Sequence, residues 1–172
     1  MKKRLQRIIW HVLILAWMVL IFLLSSQEAQ TSSDLSGVVS RNIAQVFVRD
    51  FGEMQDAQQI QVIDNMQNIV RKGAHMFLYF VLGLLAMGTM NTYRIKTRLK
   101  VLVAFAIALL YAVSDEIHQL YVPGRACKVA DVLIDATGAV LGILIFVGIG
   151  IFAARSADRK QGACGREDTN EK

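Results

Sequence analysis

Proline occurs once in the 172 residues, at Pro123, and cysteine twice, at Cys127 and Cys164. The cysteines form no C-x-x-C pair, and the topology derived below puts them on opposite sides of a membrane. A disulfide framework is therefore excluded, and both read as incidental thiols. No H-E-x-x-H run is present, so the sequence offers no helical zinc signature. Ser114 lies in no nucleophile elbow, which leaves a serine-nucleophile reading without support. Internal repeats and low-complexity tracts are missing too. The bases form no face interleaved with aromatics, so the net charge of +5 and the pI near 9.4 are not a nucleic-acid signal.

Charge is also missing from four long blocks, while 54% of the chain is hydrophobic and its mean hydropathy is +0.40. Ile8–Leu24 holds 17 residues with no charge and one histidine, His11. Gly73–Tyr93 holds 21 with His75, Val101–Ser114 holds 14, and Ala136–Ala154 holds 19. A span needs about 20 apolar residues. Three blocks qualify and the third is short. The first begins with Lys2, Lys3, Arg4 and Arg7, as a secretory signal would. Its apolar run is longer than a signal's usual 7–15 or so, and Ser25–Ala29 makes a poor cleavage site, so it reads as a retained span. The expected fold is all-α, a polytopic bundle of four transmembrane helices over about 8–24, 73–93, 101–120 and 132–154. It forms one membrane domain, 1–155, followed by a polar and disordered tail, 156–172.

Lys and Arg near the span ends set orientation. The link from Asn91 to Lys100 carries four bases and no acid, and the C-terminal tail carries Arg155, Arg159, Lys160, Arg166 and Lys172. The stretch Ser25–Gly73 carries four bases against six acids, and Asp115–Asp135 carries two against four. Both termini are thus expected in the cytoplasm, and the loop 25–72 and the third link outside, in a multi-pass protein of the cell membrane. Within the loop, Leu35, Val39, Ile43, Val46, Phe47 and Phe51 recur at helical steps after the capping types Ser32, Ser33 and Asp34. Ile60, Ile63, Met66 and Val70 form a second stripe. Two amphipathic helices are expected there, either lying on the outer leaflet or packed as a hairpin on the bundle.

Helical depth brings the remaining charges together. At about 1.5 Å per residue, Asp115 and Glu116 lie roughly 22–24 Å above Lys100, inside a hydrocarbon core of about 30 Å. His118, His75, Tyr79, the segment Ser25–Gln27 and Asp135 reach the same layer from all four spans. Arg71, His75 and Tyr79 share one stripe, as do Tyr111, Asp115, His118 and Gln119, and as do Asp131, Asp135, Gly138 and Gly142. Ionisable groups at this depth are costly and should face one another or water. Arg125, after the Pro123–Gly124 turn, is the natural partner for Asp115 or Glu116, either as a structural pair or as an anion fork. His75, Asp115, Glu116, His118 and Asp135 are donor types that suit a metal, but without a ligand motif no metal or other cofactor is expected. Gly138-x-x-x-Gly142, Gly83 and Gly88 read as helix packing.

The run Tyr111-Ala-Val-Ser-Asp-Glu-Ile-His-Gln-Leu-Tyr-Val-Pro-Gly-Arg125, continued by Asp131-Val-Leu-Ile-Asp135-Ala-Thr-Gly138, resembles the signature of VanZ-like proteins. Arg71-Lys-Gly-Ala-His75-Met-Phe-Leu-Tyr79 and Leu24-Ser25-Ser26-Gln27 are similar to the family's other two blocks. The resemblance covers all four spans and departs only in the variable loop Ala126-Cys127-Lys128. It implies a cell-envelope membrane protein and, as for the family's namesake, lower susceptibility to teicoplanin more than to vancomycin. A teicoplanin-type drug carries an acyl chain and acts at the outer leaflet, where the polar layer lies. The leading expectation is a non-catalytic factor that binds membrane lipid, specifically an outer-leaflet envelope lipid or the lipoglycopeptide. Lys72, His75, Tyr79, Asp115, Glu116, His118, Gln119, Arg125, Asp131 and Asp135 would form its site, with Arg71 beside them. The alternative is an enzyme acting on a lipid-linked envelope precursor or polymer, with Asp115 or Glu116 and His118 as acid and base. A flippase is disfavoured because the inner half of each span is apolar. Oligomeric state is left open.

Overall fold

A computed structural model of the chain describes the backbone of residues 2–27, 29–123, 125 and 127–170, with side chains left aside at 2, 29–35 and 157–170. It is all-helical among the described residues. Helix α1 spans Lys2–Ser25, α2 Ala29–Phe47, α3 Asp56–Asn91, α4 Thr97–Gln119 and α5 Val129–Asn170, with a single 3-10 turn at Phe51–Glu53 between α2 and α3. Helices α1, α3, α4 and α5 are each long and apolar enough to cross a membrane.

The expected spans are found, with altered ends. Span two is not a helix beginning at Gly73 but the second half of α3, which starts at Asp56 with a reciprocal Gln55–Gln58 capping box. The stripe Ile60, Ile63, Met66, Val70 therefore continues the span instead of forming a separate loop helix. Nothing between Asp56 and Asn91 breaks it, since the segment has no proline. Its 36 residues are about 54 Å long, so roughly 24 Å projects beyond a 30 Å core. The first loop helix begins at Ala29, upstream of the expected Ser32–Asp34 cap, whose side chains lie outside the described set. The tail expected to be disordered carries α5 onward to Asn170. Its alanines, arginines and glutamine favour helix, and no proline stops it.

The core is thin and built on small residues. Ala104, Ala108 and Ala112 of α4 are fully buried at four-residue spacing, while Leu102, Leu110 and Ile117 point outward. Outward leucine and isoleucine are continuous over α1 and α5 as well, a surface suited to lipid tails and not to water. Between α3 and α5 the small residues are glycines. A Cβ on Gly138 would overlap the Met76 carbonyl, one on Gly142 the Phe80 carbonyl, and one on Gly83 the Ala139 carbonyl. The expected packing role of these glycines is borne out, and it brings two backbones into direct contact. Helix α1 is tied on by side chains that donate to main-chain carbonyls: Trp17 to Leu78 at 2.9 Å and Tyr111 to Met18 at 2.5 Å.

Outside the spans, α2 packs on the projecting half of α3. Its buried side is small, with Ser40 and Ala44 inaccessible and Gly37 against Gln67. Ala44, Phe51 and Ile63 form a satellite core. The larger apolar residues of the expected stripe, Val39, Val46 and Phe47, are exposed on the opposite face.

Candidate functional site

The polar layer assembles where α3, α4 and α5 meet the α4–α5 link. The glycine contacts account for part of its geometry. Gly138 of α5 rests on the Met76 carbonyl of α3, next to His75 and one turn from Asp135. That close approach puts His75 Nδ1 3.9 Å from Asp135 Oδ2. Asp115 joins from α4, with donor atoms of His75, Asp115 and Asp135 all within 4.8 Å of one another. Asp115, Glu116 and Asp135 are buried to 4%, 2% and 1% residual exposure, so three carboxyl groups from two helices occupy one interior region.

Their partners differ. Asp115 Oδ2 accepts from Ser25 Oγ at 2.8 Å and from Gln119 Nε2 at 3.3 Å, which explains why the end of α1 belongs to the layer. Glu116 Oε2 accepts the Lys128 backbone N–H at 2.9 Å, tying the start of α5 to the end of α4. Asp135 has no hydrogen-bond partner on either oxygen, and the fully buried Tyr79 hydroxyl has none either. Orphaned polar atoms this deep are costly.

Above the carboxyls lies a cavity of about 120 Å³, lined by Arg71, Lys72, His75, Glu116, Gln119, Arg125, Lys128, Asp131, Ile134 and Asp135. That is room for several waters or a phosphate-sized group. Seven of the ten residues expected from the sequence line it. Tyr79 and Asp115 lie beneath. His118 turns elsewhere: its ring packs on Phe22 of α1 at 4.6 Å between centroids, and its Nδ1 is buried without a partner. Lys128 and Ile134 were not singled out by sequence. Lys128 lies three residues before Asp131 and its carbonyl accepts the Asp131 N–H at 2.8 Å, so extending the Asp131–Asp135 stripe back past the helix start would have found it.

The cations divide by pairing. Lys72 Nζ lies 3.4 Å from Asp131 Oδ1. Arg71 reaches Asn68 at 3.4 Å. Arg125 does not form the ion pair expected with Asp115 or Glu116. Its Nε donates instead to the Gln27 carbonyl at 3.1 Å, and no described carboxylate comes within ion-pair distance. The Asp115 and Glu116 oxygens are already held by Ser25, Gln119 and Lys128, so the fork is left to the cavity mouth. Burial, and then Arg71, push the Arg125 guanidinium below its usual value, against the pull of Asp115 and Glu116. An anion at the mouth would relieve both.

The family model described as VanZ/LLP1 matches residues 10–153. The chain belongs to the VanZ/LLP1 family. No curated protein and no solved structure matches it. The matched range holds every residue that lines the cavity and both ends of the Ser25–Asp115 bond. Thus the blocks that carry the VanZ resemblance are the ones the fold collects into one place. The mouth can bind an anion and the floor can hold a proton or a cation.

Proposed function

We propose that this VanZ/LLP1 protein binds the anionic headgroup of an outer-leaflet envelope lipid, or of a lipoglycopeptide, and thereby lowers susceptibility to teicoplanin-type antibiotics. The observation that carries this reading is Arg125: half-buried at the mouth of a headgroup-sized cavity, with one N–H on a carbonyl and no carboxylate partner among the described residues. A guanidinium fork suits phosphate or carboxylate. Arg71, Lys72 and Lys128 line the same cavity and add attraction. The excess of bases in the Asn91–Lys100 link and the tail favours an orientation with the cavity outside and both termini in the cytoplasm. The acyl part of such a ligand would lie along the exposed leucines and isoleucines of the spans.

Expression in a susceptible Gram-positive host tests the reading. The protein should raise the inhibitory concentration of teicoplanin more than that of vancomycin. Arg125→Ala, at unchanged membrane abundance, should remove most of the effect. A lost charge-assisted hydrogen bond of about 1.5–3 kcal/mol is roughly a tenfold or greater loss of affinity. Equal drug sensitivity with and without the protein would sink the proposal. Mass analysis of envelope lipids from the same cells separates binding from chemistry: a new or missing species, abolished by Glu116→Gln, would replace binding with catalysis.

A further inference from the structure

The floor of the cavity is an unsolved electrostatic problem. Carboxylate oxygens of Asp115 and Asp135 lie within 4.8 Å of each other, both residues are buried, and no Lys or Arg pairs with either among the described residues. Asp115 is partly satisfied by Ser25 and Gln119, and both bonds land on Oδ2, so neither uses Oδ1. Asp135 is not satisfied at all: both of its oxygens are without a partner at 1% exposure. Two adjacent buried carboxylates without a counter-charge are strongly unfavourable. Among the described residues the basic group within ion-pair distance of Asp135 is an imidazole, His75, at 3.9 Å.

We propose that His75, Asp115 and Asp135 hold a divalent first-row metal ion, of the Zn²⁺ or Mn²⁺ class, at the cavity floor. Two carboxylates and a 2+ ion sum to zero, so the assembly becomes neutral inside a low-dielectric bundle. The donors come from three helices, α3, α4 and α5, which is why no local motif announces them. One imidazole and two carboxylates suit such ions. Bonds of about 2.1 Å place tetrahedral donors roughly 3.4 Å apart. Three donors within 4.8 Å of one another reach that by moving at most about 0.8 Å each, within the range of side-chain adjustment. The surroundings fit as well. Ser25 and Gln119 hold the Asp115 carboxylate as outer-shell donors hold a ligand. Independently of the acids, the buried Tyr79 hydroxyl, one turn below His75, has no hydrogen-bond partner. Three protein donors leave coordination positions open. His75 and Asp135 line the cavity, so an open position there would accept water or a headgroup oxygen. The metal site stands whether or not the mouth binds a lipid.

The full chain, purified in detergent with an affinity tag free of histidine, is stripped with chelator and titrated with Zn²⁺ and with Mn²⁺ by calorimetry, and metal retained before stripping is counted by mass spectrometry. One equivalent of one of these ions per chain is expected. His75→Ala and Asp135→Asn should each weaken binding at least tenfold, while His11→Ala, which removes a histidine from the opposite end of the bundle, should leave it unchanged. Cobalt-loaded wild-type protein should show visible d–d absorption that both floor variants lack, at the same helical circular dichroism. Failure of the wild-type protein to take up a stoichiometric ion overturns the proposal without recourse to any variant. Uptake that survives the combined His75→Ala and Asp135→Asn changes overturns it too.

Discussion

Ser25 and Tyr79 show opposite states of a buried hydroxyl. Ser25 Oγ donates 2.8 Å to Asp115, whereas Tyr79 Oη donates to nothing. Ser25→Ala should therefore destabilise the protein by about 1–3 kcal/mol, because it strips a donor from a buried carboxyl group. Tyr79→Phe should be neutral or stabilising in metal-free protein, since it removes a buried group that has no partner. Thermal unfolding in detergent measures both, and a large loss for Tyr79→Phe would mean the hydroxyl has a partner after all. At this scale the sequence was legible where a stripe fixed the facing direction: Arg71, His75, Asp115, Gln119 and Asp135 all fall in one layer. It misled at His118. On α4, Glu116 and His118 flank Asp115 on opposite sides. Glu116 meets the start of α5 through Lys128, and His118 meets α1 through Phe22. Spacing alone does not say which neighbour lies on which flank. The partner of Arg125 was illegible for a similar reason, because Ser25, Gln119 and Lys128 compete for the same carboxylates.

At the scale of the element, the pairing of α3 with α5 sets the site. Gly138 and Gly142 bring the α5 backbone onto the Met76 and Phe80 carbonyls, and His75 and Asp135 sit just beyond that contact. Gly138→Ala should cost about 1–3 kcal/mol through overpacking and should also loosen ligand binding at the cavity. An alanine there that left both thermal stability and binding intact would separate the glycine contact from the site. Helix α2 carries the second consequence. Its small face is buried on α3 while Val38, Val46 and Phe47 are 63%, 75% and 79% exposed. Large apolar residues outward and small ones inward suit a helix resting on a leaflet. Phe47→Trp should add fluorescence, over the signal of Trp10 and Trp17 in the parent protein, that brominated acyl chains quench; an added signal insensitive to them would place α2 in water. The stripe in this segment was legible, but its assignment to a face was not. Glycine, serine and alanine form the packing face, and hydropathy does not score them as such.

For the whole molecule, hydropathy exposed four spans because a bilayer demands long uncharged runs, and it blurred their ends because α3 and α5 project beyond that requirement. The orientation that the bases predict has a built-in reporter, since Cys127 is exposed in the α4–α5 link and Cys164 lies in the tail. An impermeant maleimide should label Cys127 in intact cells and reach Cys164 only after lysis. The reverse pattern would turn the cavity toward the cytoplasm. The proposed headgroup site is the cavity between α3, α4 and α5, anchored by Arg125. Native mass spectrometry of the purified protein, offered anionic and zwitterionic lipids of equal chain length, tests it most directly. Retention of one anionic lipid per chain, lost in Arg125→Ala at unchanged fold, is the expected result. Equal retention of both lipids, or anionic retention indifferent to Arg125, would contradict it.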